Sequence, residues 1–271
     1  MNIRIWGMGM VLAVLLISSG PILAAEEEKV AVNANLAALN RYVFRGYQIG
    51  KNSVVFQPSL GAAYKGFSAN FWGNIDSDEH ATQTFKPDRP GRKSFNETDL
   101  TLSYTYPIEK LELTGGCIYY GTKYTAETEE FYASVAYNTF AKPTLTIYQD
   151  ITSYPGTYVN LSLSQSWKIY KEITLDLGAS ASYFWGWSGY WKTFDSSTGA
   201  YTGDKYRALH SGMALAGVTV AIAKNLAVQP VVQYWFPLSD KAKRMVDGNS
   251  YNPNGSVNGT FVYGINLTFS F

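Results

Sequence analysis

Two arginines, Arg41 and Arg45, stand four residues apart near the start of the chain. On an extended strand that spacing puts both on one face, because side chains alternate with period two. Asp76, Glu97, Asp99 and Glu130 lie near the ends of later apolar-alternating segments, on the polar face. Arginines facing carboxylates across a confined space set up a transverse field, and rings of charge are one way a pore selects solutes. The same charges can instead pair with one another and fill a narrow interior, since an unpaired charge in a confined site is costly. These six residues are the candidates for a constriction. Glu112, Asp150, Asp176 and Gln233, beside Asn160, Gln229 and Asn266, are read as a lower lining. It would be wet and mildly acidic, suited to water and small polar solutes.

Covalent chemistry has less to work with. A hydrolase needs a nucleophile, a base and a group to orient the base. The chain has two histidines, His80 in a polar loop and His210 beside Ser211 in an apolar segment. Neighbours on a strand point to opposite faces, which sets His210 apart from Ser211. A lipid hydrolase is therefore a rival reading, and no catalytic residue is assigned. Asp78, Glu79, His80 and Asp88 share one loop without recognisable ligand spacing, so neither metal nor cofactor is expected. The single cysteine, Cys117, excludes an internal disulfide, and its alternation with Leu113, Gly115 and Tyr119 places it on the apolar face.

The elements that position these residues read as strands. Of 271 residues, 46% are hydrophobic, 15% aromatic and 16% charged, against about 25% charged in an average soluble domain. A formal net charge of +1 gives no bulk attraction to nucleic acid, which is not expected as a partner. The first 25 residues resemble a signal peptide: Arg4, a short apolar core, then small residues with cleavage expected near Ala24 or Ala25. Residues 26–271 read as one domain.

Twelve segments alternate apolar and polar: 30–44, 54–64, 67–76, 95–106, 111–120, 129–138, 143–151, 158–167, 173–185, 206–223, 226–236 and 259–271. Most approach the ten or so residues that a tilted strand needs to cross hydrocarbon. Their connections alternate short and long, as tight periplasmic turns and longer outer loops do. Aromatic residues gather at strand ends, among them Tyr64, Phe67, Tyr119, Tyr120, Trp167, Trp185 and Trp235, as in interfacial girdles. Apolar outside and polar inside follows, and an open sheet edge in lipid would leave backbone groups unpaired. The fold expected is a closed, all-β, transmembrane antiparallel barrel of twelve strands, with ten or fourteen as alternatives.

The last segment places Phe261, Tyr263, Ile265, Leu267, Phe269 and Phe271 on one face. A terminal Phe behind alternating apolar residues resembles the C-terminal signature of bacterial outer-membrane barrels. The resemblance implies that the barrel assembly machinery reads this strand. Arg41-Tyr42-Val43-Phe44-Arg45-Gly46, then Gly66-Phe67 and Trp72-Gly73, also resemble an uncharacterised proteobacterial outer-membrane family with a Tyr-x-Phe-Arg-Gly element. That family implies the barrel and no activity. The expected location is the outer membrane of a Gram-negative bacterium, with lipid and lipopolysaccharide as surroundings. Lys241, Lys243 and Arg244 stand ready for lipopolysaccharide at the outer rim. Trp187, Tyr190, Trp191, Phe194 and Tyr201 crowd one long loop, which suits sugar stacking, a plug or headgroup contact. The leading function is a porin-like channel for small polar solutes, with saccharides among them. Its rivals are a structural or adhesive barrel with a filled interior, and the hydrolase.

Overall fold

The structure is a computed structural model that describes residues 29–50, 52–80, 88–195, 198, 200–246 and 259–271. The expected signal segment lies outside them. In chain order the elements are β1 (Ala31–Leu39), β2 (Tyr42–Phe44), β3 (Tyr47–Gly50), β4 (Val55–Tyr64), β5 (Phe67–Asp76), β6 (Ser94–Ile108), β7 (Leu111–Thr122) and β8 (Thr128–Tyr137). There follow β9 (Thr144–Asp150), β10 (Gly156–Tyr170), β11 (Ile173–Gly186), β12 (Lys192–Phe194), β13 (Tyr201–Lys205), β14 (Arg207–Ala223), β15 (Leu226–Pro237), α1 (Asp240–Val246) and β16 (Thr260–Ser270).

Twelve of these strands close into one antiparallel barrel, in the order β1-β16-β15-β14-β11-β10-β9-β8-β7-β6-β5-β4. Closure comes from β1, which pairs β4 on one side and β16 on the other, from Asn33↔Ser270 to Leu39↔Gly264. Short turns gather at one end of the barrel and long loops at the other. Lys65-Gly66 shows why the turns can be so short. Both residues have positive φ, 47° and 86°, the geometry of a two-residue turn whose twist matches its strands.

Apolar alternation decides which face meets what. Leu36, Leu60, Leu102, Val135, Ile147, Leu163 and Val232 are exposed on the outside, midway along their strands. Tyr64, Phe67, Tyr106, Phe140, Trp167 and Tyr170 ring the turn end, and Phe95, Tyr119, Trp185, Trp187 and Phe261 ring the loop end. An aliphatic band between two aromatic girdles suits hydrocarbon between two interfaces, and a continuous apolar surface of this kind is unstable in water. Cys117 is half-buried on that outer face. The polar partners of the alternation, Asn35, Gln57, Asn74, Thr101, Glu112, Thr146, Asn160 and Asp176, are buried around the lumen.

Two expected girdle members turn inward instead. Tyr120 and Trp235 are only 5% and 3% exposed. Tyr120 has the parity of Glu112, and Trp235 that of Gln233, so both share the polar face. The long connections also carry structure of their own. β12 and β13 form a small hairpin. α1 folds over the loop end, where Ala242 is fully buried. Its start is capped by Ser239, whose Oγ accepts the Ala242 amide at 3.1 Å, satisfying one of the helix's orphan donors.

Candidate functional site: a hairpin in the lumen

The sequence reads 30–44 as one long strand, which would mount Arg41 and Arg45 on the wall. The structure ends β1 at Leu39. Asn40 bends the chain, accepting the Tyr263 amide through Oδ1 at 2.8 Å. The chain then turns into the barrel as the hairpin β2–β3, paired Phe44↔Tyr47 and Val43↔Gln48. Arg45 and Gly46 make its turn, with φ of 49° and 86°. The alternation of residues 39–44 hides this turn, because the hairpin's first arm keeps the period of β1. The signal that marks it is the residue-Gly pair between Phe44 and Tyr47, a hairpin turn by the same rule as Lys65-Gly66.

A hairpin this short is unstable alone, so the wall must hold it, and it does so differently on its two sides. On one side Tyr42, Val43 and Tyr47 join Leu39, Val55, Trp72, Met213, Leu215 and Val262 in an apolar cluster. On the other side stands a polar latch. Arg45 Nη1 and Nη2 each donate to one oxygen of Glu130, both at 2.7 Å. Tyr120 Oη donates to the same carboxylate at 2.8 Å. The guanidinium lies 4.6 Å from the rings of Tyr148 and Tyr158 and 4.8 Å from Phe44. A forked ion pair inside an aromatic cage suits arginine, which matches carboxylate geometry and stacks on rings.

His210 completes the latch. Its Nε2 lies 2.9 Å from the Arg45 carbonyl, which can only accept, so Nε2 donates. Nδ1 then accepts from the Tyr206 hydroxyl at 2.7 Å. Both ring nitrogens are thereby committed. A register shift between Ala181 and Tyr183 breaks the alternation in β14, and His210 and Ser211 are both buried inside, 1% and 3% exposed. This corrects the expectation that they face opposite ways, since a bulge places neighbours on one face. Ser211 Oγ nevertheless pairs with Ser182 Oγ at 2.9 Å, not with His210. Gly46 sits against this bulge, where a Cβ would come within 2.8 Å of Ser211 Cβ.

The other constriction candidates scatter around the latch. Arg41 donates to Gln48 Oε1 at 3.4 Å within the hairpin, away from the Glu130 pair. Asp76 closes β5 at the loop end, where its Oδ1 accepts the Asp78 amide at 3.1 Å. Asp99 is fully buried on β6, opposite Trp72 and Tyr120, and neither oxygen has a hydrogen bond among the described residues. Glu97 lies against the Tyr42 side chain.

Asp150 and Gln233 sit higher than the sequence reading places them. Strands alternate in direction, so Asp150, the last residue of β9, stands at the loop end opposite Glu130. Its oxygens accept Thr128 Oγ1 at 2.7 Å and the amides of Thr152 and Tyr154 at 3.1 and 3.0 Å. Gln233 accepts Trp235 Nε1 at 2.9 Å, beside the apolar cluster. Glu112 and Asp176 do lie near the turn end. Glu112 takes Asn138 at 2.7 Å and Lys142 at 2.9 Å. Asp176 takes Ser166, Thr219 and Gln229 at 2.6, 2.6 and 2.9 Å.

At the loop end, Glu79 is fully buried, not solvated as its loop suggests. The Tyr124 hydroxyl lies 2.8 and 2.6 Å from its oxygens, and Arg89 is 3.8 Å away. His80 bridges Asp78 and Asp88 at 3.3 and 3.2 Å. Among the described residues no group of three or more His, Cys, Asp or Glu is placed to hold a metal.

Between the hairpin and the loops remains a cavity of about 160 Å³. The aromatic groups that shape the latch and this cavity, Tyr120, Tyr148, Tyr158, Phe184 and Tyr206, are not site candidates in the sequence reading. Their inward parity is the signal they carry.

No family model matches the chain, and no curated protein matches it either. Solved structures do. The NanC porin superposes with a TM-score of 0.53 at 8% identity, over 90% of this chain and 100% of the other. The KdgM porin gives 0.52 at 10% identity, over 88% and 99%. At such identities the likeness is one of fold: the closed twelve-stranded barrel of this chain superposes on those porins.

Proposed function

We propose that the protein is a porin-like channel of a Gram-negative outer membrane, passing small polar solutes and narrowed from within by its own hairpin. The observation that carries this reading is a closed barrel, apolar outside and polar inside, whose bore is crossed by Arg45 held on Glu130. Such a lumen is wettable, while a fixed arginine among carboxylates filters by charge and dipole. The similar fold of two porins and the signal-like N-terminus support the location. Sidedness follows the usual pattern, with short turns in the periplasm and long loops outside. On that orientation Lys241 and Lys243 of α1 stand at the outer rim, within reach of lipopolysaccharide, while the Arg244 side chain lies outside the described set. Tyr263, Ile265 and Phe269, exposed on β16, and Phe271 just after it, with Leu267 half-buried among them, are the surface offered to the assembly machinery.

A liposome-swelling assay with sugars and amino acids of graded size tests the channel, and planar-bilayer recording tests the filter. Arg45→Ala is expected to change conductance or ion preference. No current from the folded wild type, and none after deletion of residues 41–52, would remove the claim. One observation favours a second reading, a structural barrel closed by side chains: Val43 of the hairpin and Val55 of the wall are fully buried in one apolar cluster. That barrel would insert yet pass no solute until the hairpin is deleted. A hydrolase finds no support in His210, whose nitrogens are both engaged. The expected result is that His210→Ala leaves lipid-ester turnover at background, as in the wild type.

A further inference from the structure

The outer wall carries a cation where its aliphatic band gives way to the loop end. Arg207 opens β14, and its register partner on β11 is Trp185, which in turn pairs with Thr157 of β10. Tyr206, just before it, is fully buried inside, while Lys205 and Arg207 on either side are exposed and point outward. Thr157 lies six residues along β10 from Leu163 at mid-height. That is about 20 Å along a strand and, at a tilt of about 40°, about 15 Å of height. An apolar band of about 25 Å ends about 12 Å above its middle, which places the guanidinium in the headgroup layer. An arginine on the lipid face is tolerated at that depth and costly below it.

The guanidinium is held in place without being neutralised. Its Cζ lies 4.7 Å from the Trp185 ring, and Trp185 stacks on Trp187 at 5.4 Å. Trp187 is tied to the wall, where its Nε1 donates to Thr157 Oγ1 at 2.7 Å. Stacking uses the face of a guanidinium and leaves the N–H edge for an oxyanion. Among the described residues Arg207 enters no ion pair. Asp204 of β13 and Asp240 of α1 are exposed to water, and neither pairs with it. Ala242 of α1 packs in the same buried cluster as Tyr206 and Ala208, which brings Lys241 and the exposed Lys243 to this stretch of rim.

We propose that this stretch binds the phosphomonoester of an outer-leaflet glycolipid, with Arg207 forked on the phosphate and Trp185 and Trp187 beside its sugar and upper acyl chain. A phosphomonoester carries about −1.5 to −2 charges at neutral pH, more than the phosphodiester of an ordinary phospholipid, and arginine meets it through two parallel hydrogen bonds. Lys205, roughly 7 Å from Arg207 along the chain, reaches the same head group. Free phosphate has no such hold, because an exposed guanidinium pairs weakly in water and salt screens the pair. A lipid instead presents its phosphate at this height, with its chains on the aliphatic band beneath. The inference rests on the outer-membrane reading and its sidedness, and not on conduction.

The experiment folds the full chain into phosphatidylcholine vesicles holding equal minor fractions of lipid A, dephosphorylated lipid A and phosphatidylglycerol. The barrel is then extracted in mild detergent and its bound lipids are counted by native mass spectrometry. Lipid A is expected to be retained about tenfold or more over either other lipid, and millimolar inorganic phosphate is expected not to displace it. Arg207→Gln should lower that retention about fivefold or more, Arg207→Lys should lower it less, and Lys171→Gln at the turn end should leave it unchanged. The lipid series on the unmodified protein stands even where a variant fails to fold. Equal retention of dephosphorylated lipid A or phosphatidylglycerol, displacement by inorganic phosphate, or undiminished retention by folded Arg207→Gln would overturn the proposal. Failure of the wild type to insert would overturn it together with the outer-membrane reading. An inserted barrel that retains lipid A and passes no solute would support it and remove the channel alone.

Discussion

Arg45 shows how much one side chain can be asked to do. It carries a full charge into a confined lumen, which is tolerable only because Glu130 meets it through two hydrogen bonds of 2.7 Å and three rings surround it. Breaking such a pair from one side is worse than never having had it, since the survivor is left buried without its counterion. Glu130→Gln is therefore expected to lower stability by about 3–5 kcal/mol, measured by denaturant unfolding in lipid vesicles. The double variant Arg45→Met with Glu130→Gln is expected to recover most of that loss. If the single and double variants were equally unstable, the pair would not be the anchor described here. Arg45→Lys keeps the charge and loses the fork, and should behave as a damaged latch despite the conservative exchange.

At the scale of elements, the hairpin and the loops above it make separate demands. Gly46 holds a φ of 86° and lies against Ser211. Valine there meets both the left-handed strain and the clash, so the turn must leave the wall. Gly46→Val is expected to raise conductance and to expose residues 40–54 to protease, while the barrel stays folded by circular dichroism. Unchanged protection and current would show that the hairpin does not depend on this seat. The loop cluster of Glu79 answers to pH. Burial pushes its carboxyl up, but hydrogen bonds from Tyr124, Ser94 and Asn96 and the charge of Lys123 outweigh it, so the group titrates below its ordinary 4.5. A depressed value in the folded state means that the cluster is stabilised above pH 4.5 and loses that contribution as pH falls through the lowered value. Limited proteolysis should find residues 77–80 and 88–93 protected at neutral pH and open in acid, while Glu79→Gln should be insensitive to that change.

For the whole molecule, the deciding fact is the orientation of the wall. The outer band is aliphatic at mid-height and aromatic at both edges, so the cost of a charge there must depend on depth. Leu163→Arg, midway along β10, is expected to cost about 2–4 kcal/mol of folding stability in a bilayer, and Tyr170→Arg, at the turn end, about 0–1. Equal costs would mean that this surface does not face hydrocarbon. The same orientation explains the lumen: a barrel of this size leaves space that side chains alone fill poorly, and the hairpin occupies it.

What the sequence by itself determined is what short-range periodicity can carry. Alternation over segments such as Leu100–Tyr106 and Leu161–Leu163, with Lys65-Gly66 and Lys224-Asn225 between neighbours, specified strands, faces, turns and their number, because each depends on residues close in the chain. Alternation also put Arg45, Glu97 and Glu130 inside. It could not say that residues 40–50 leave the wall, since the parity of Leu39, Arg41 and Val43 reads the same in a strand or in a hairpin arm. It could not pair Arg45 with Glu130, 85 positions away, nor gather Tyr148, Tyr158 and His210 around that charge. Those partners meet only when β1 closes against β16 and the lumen forces a buried cation to find a counterion, and that was decided by the tertiary structure, where desolvation, not sequence spacing, chooses the neighbours.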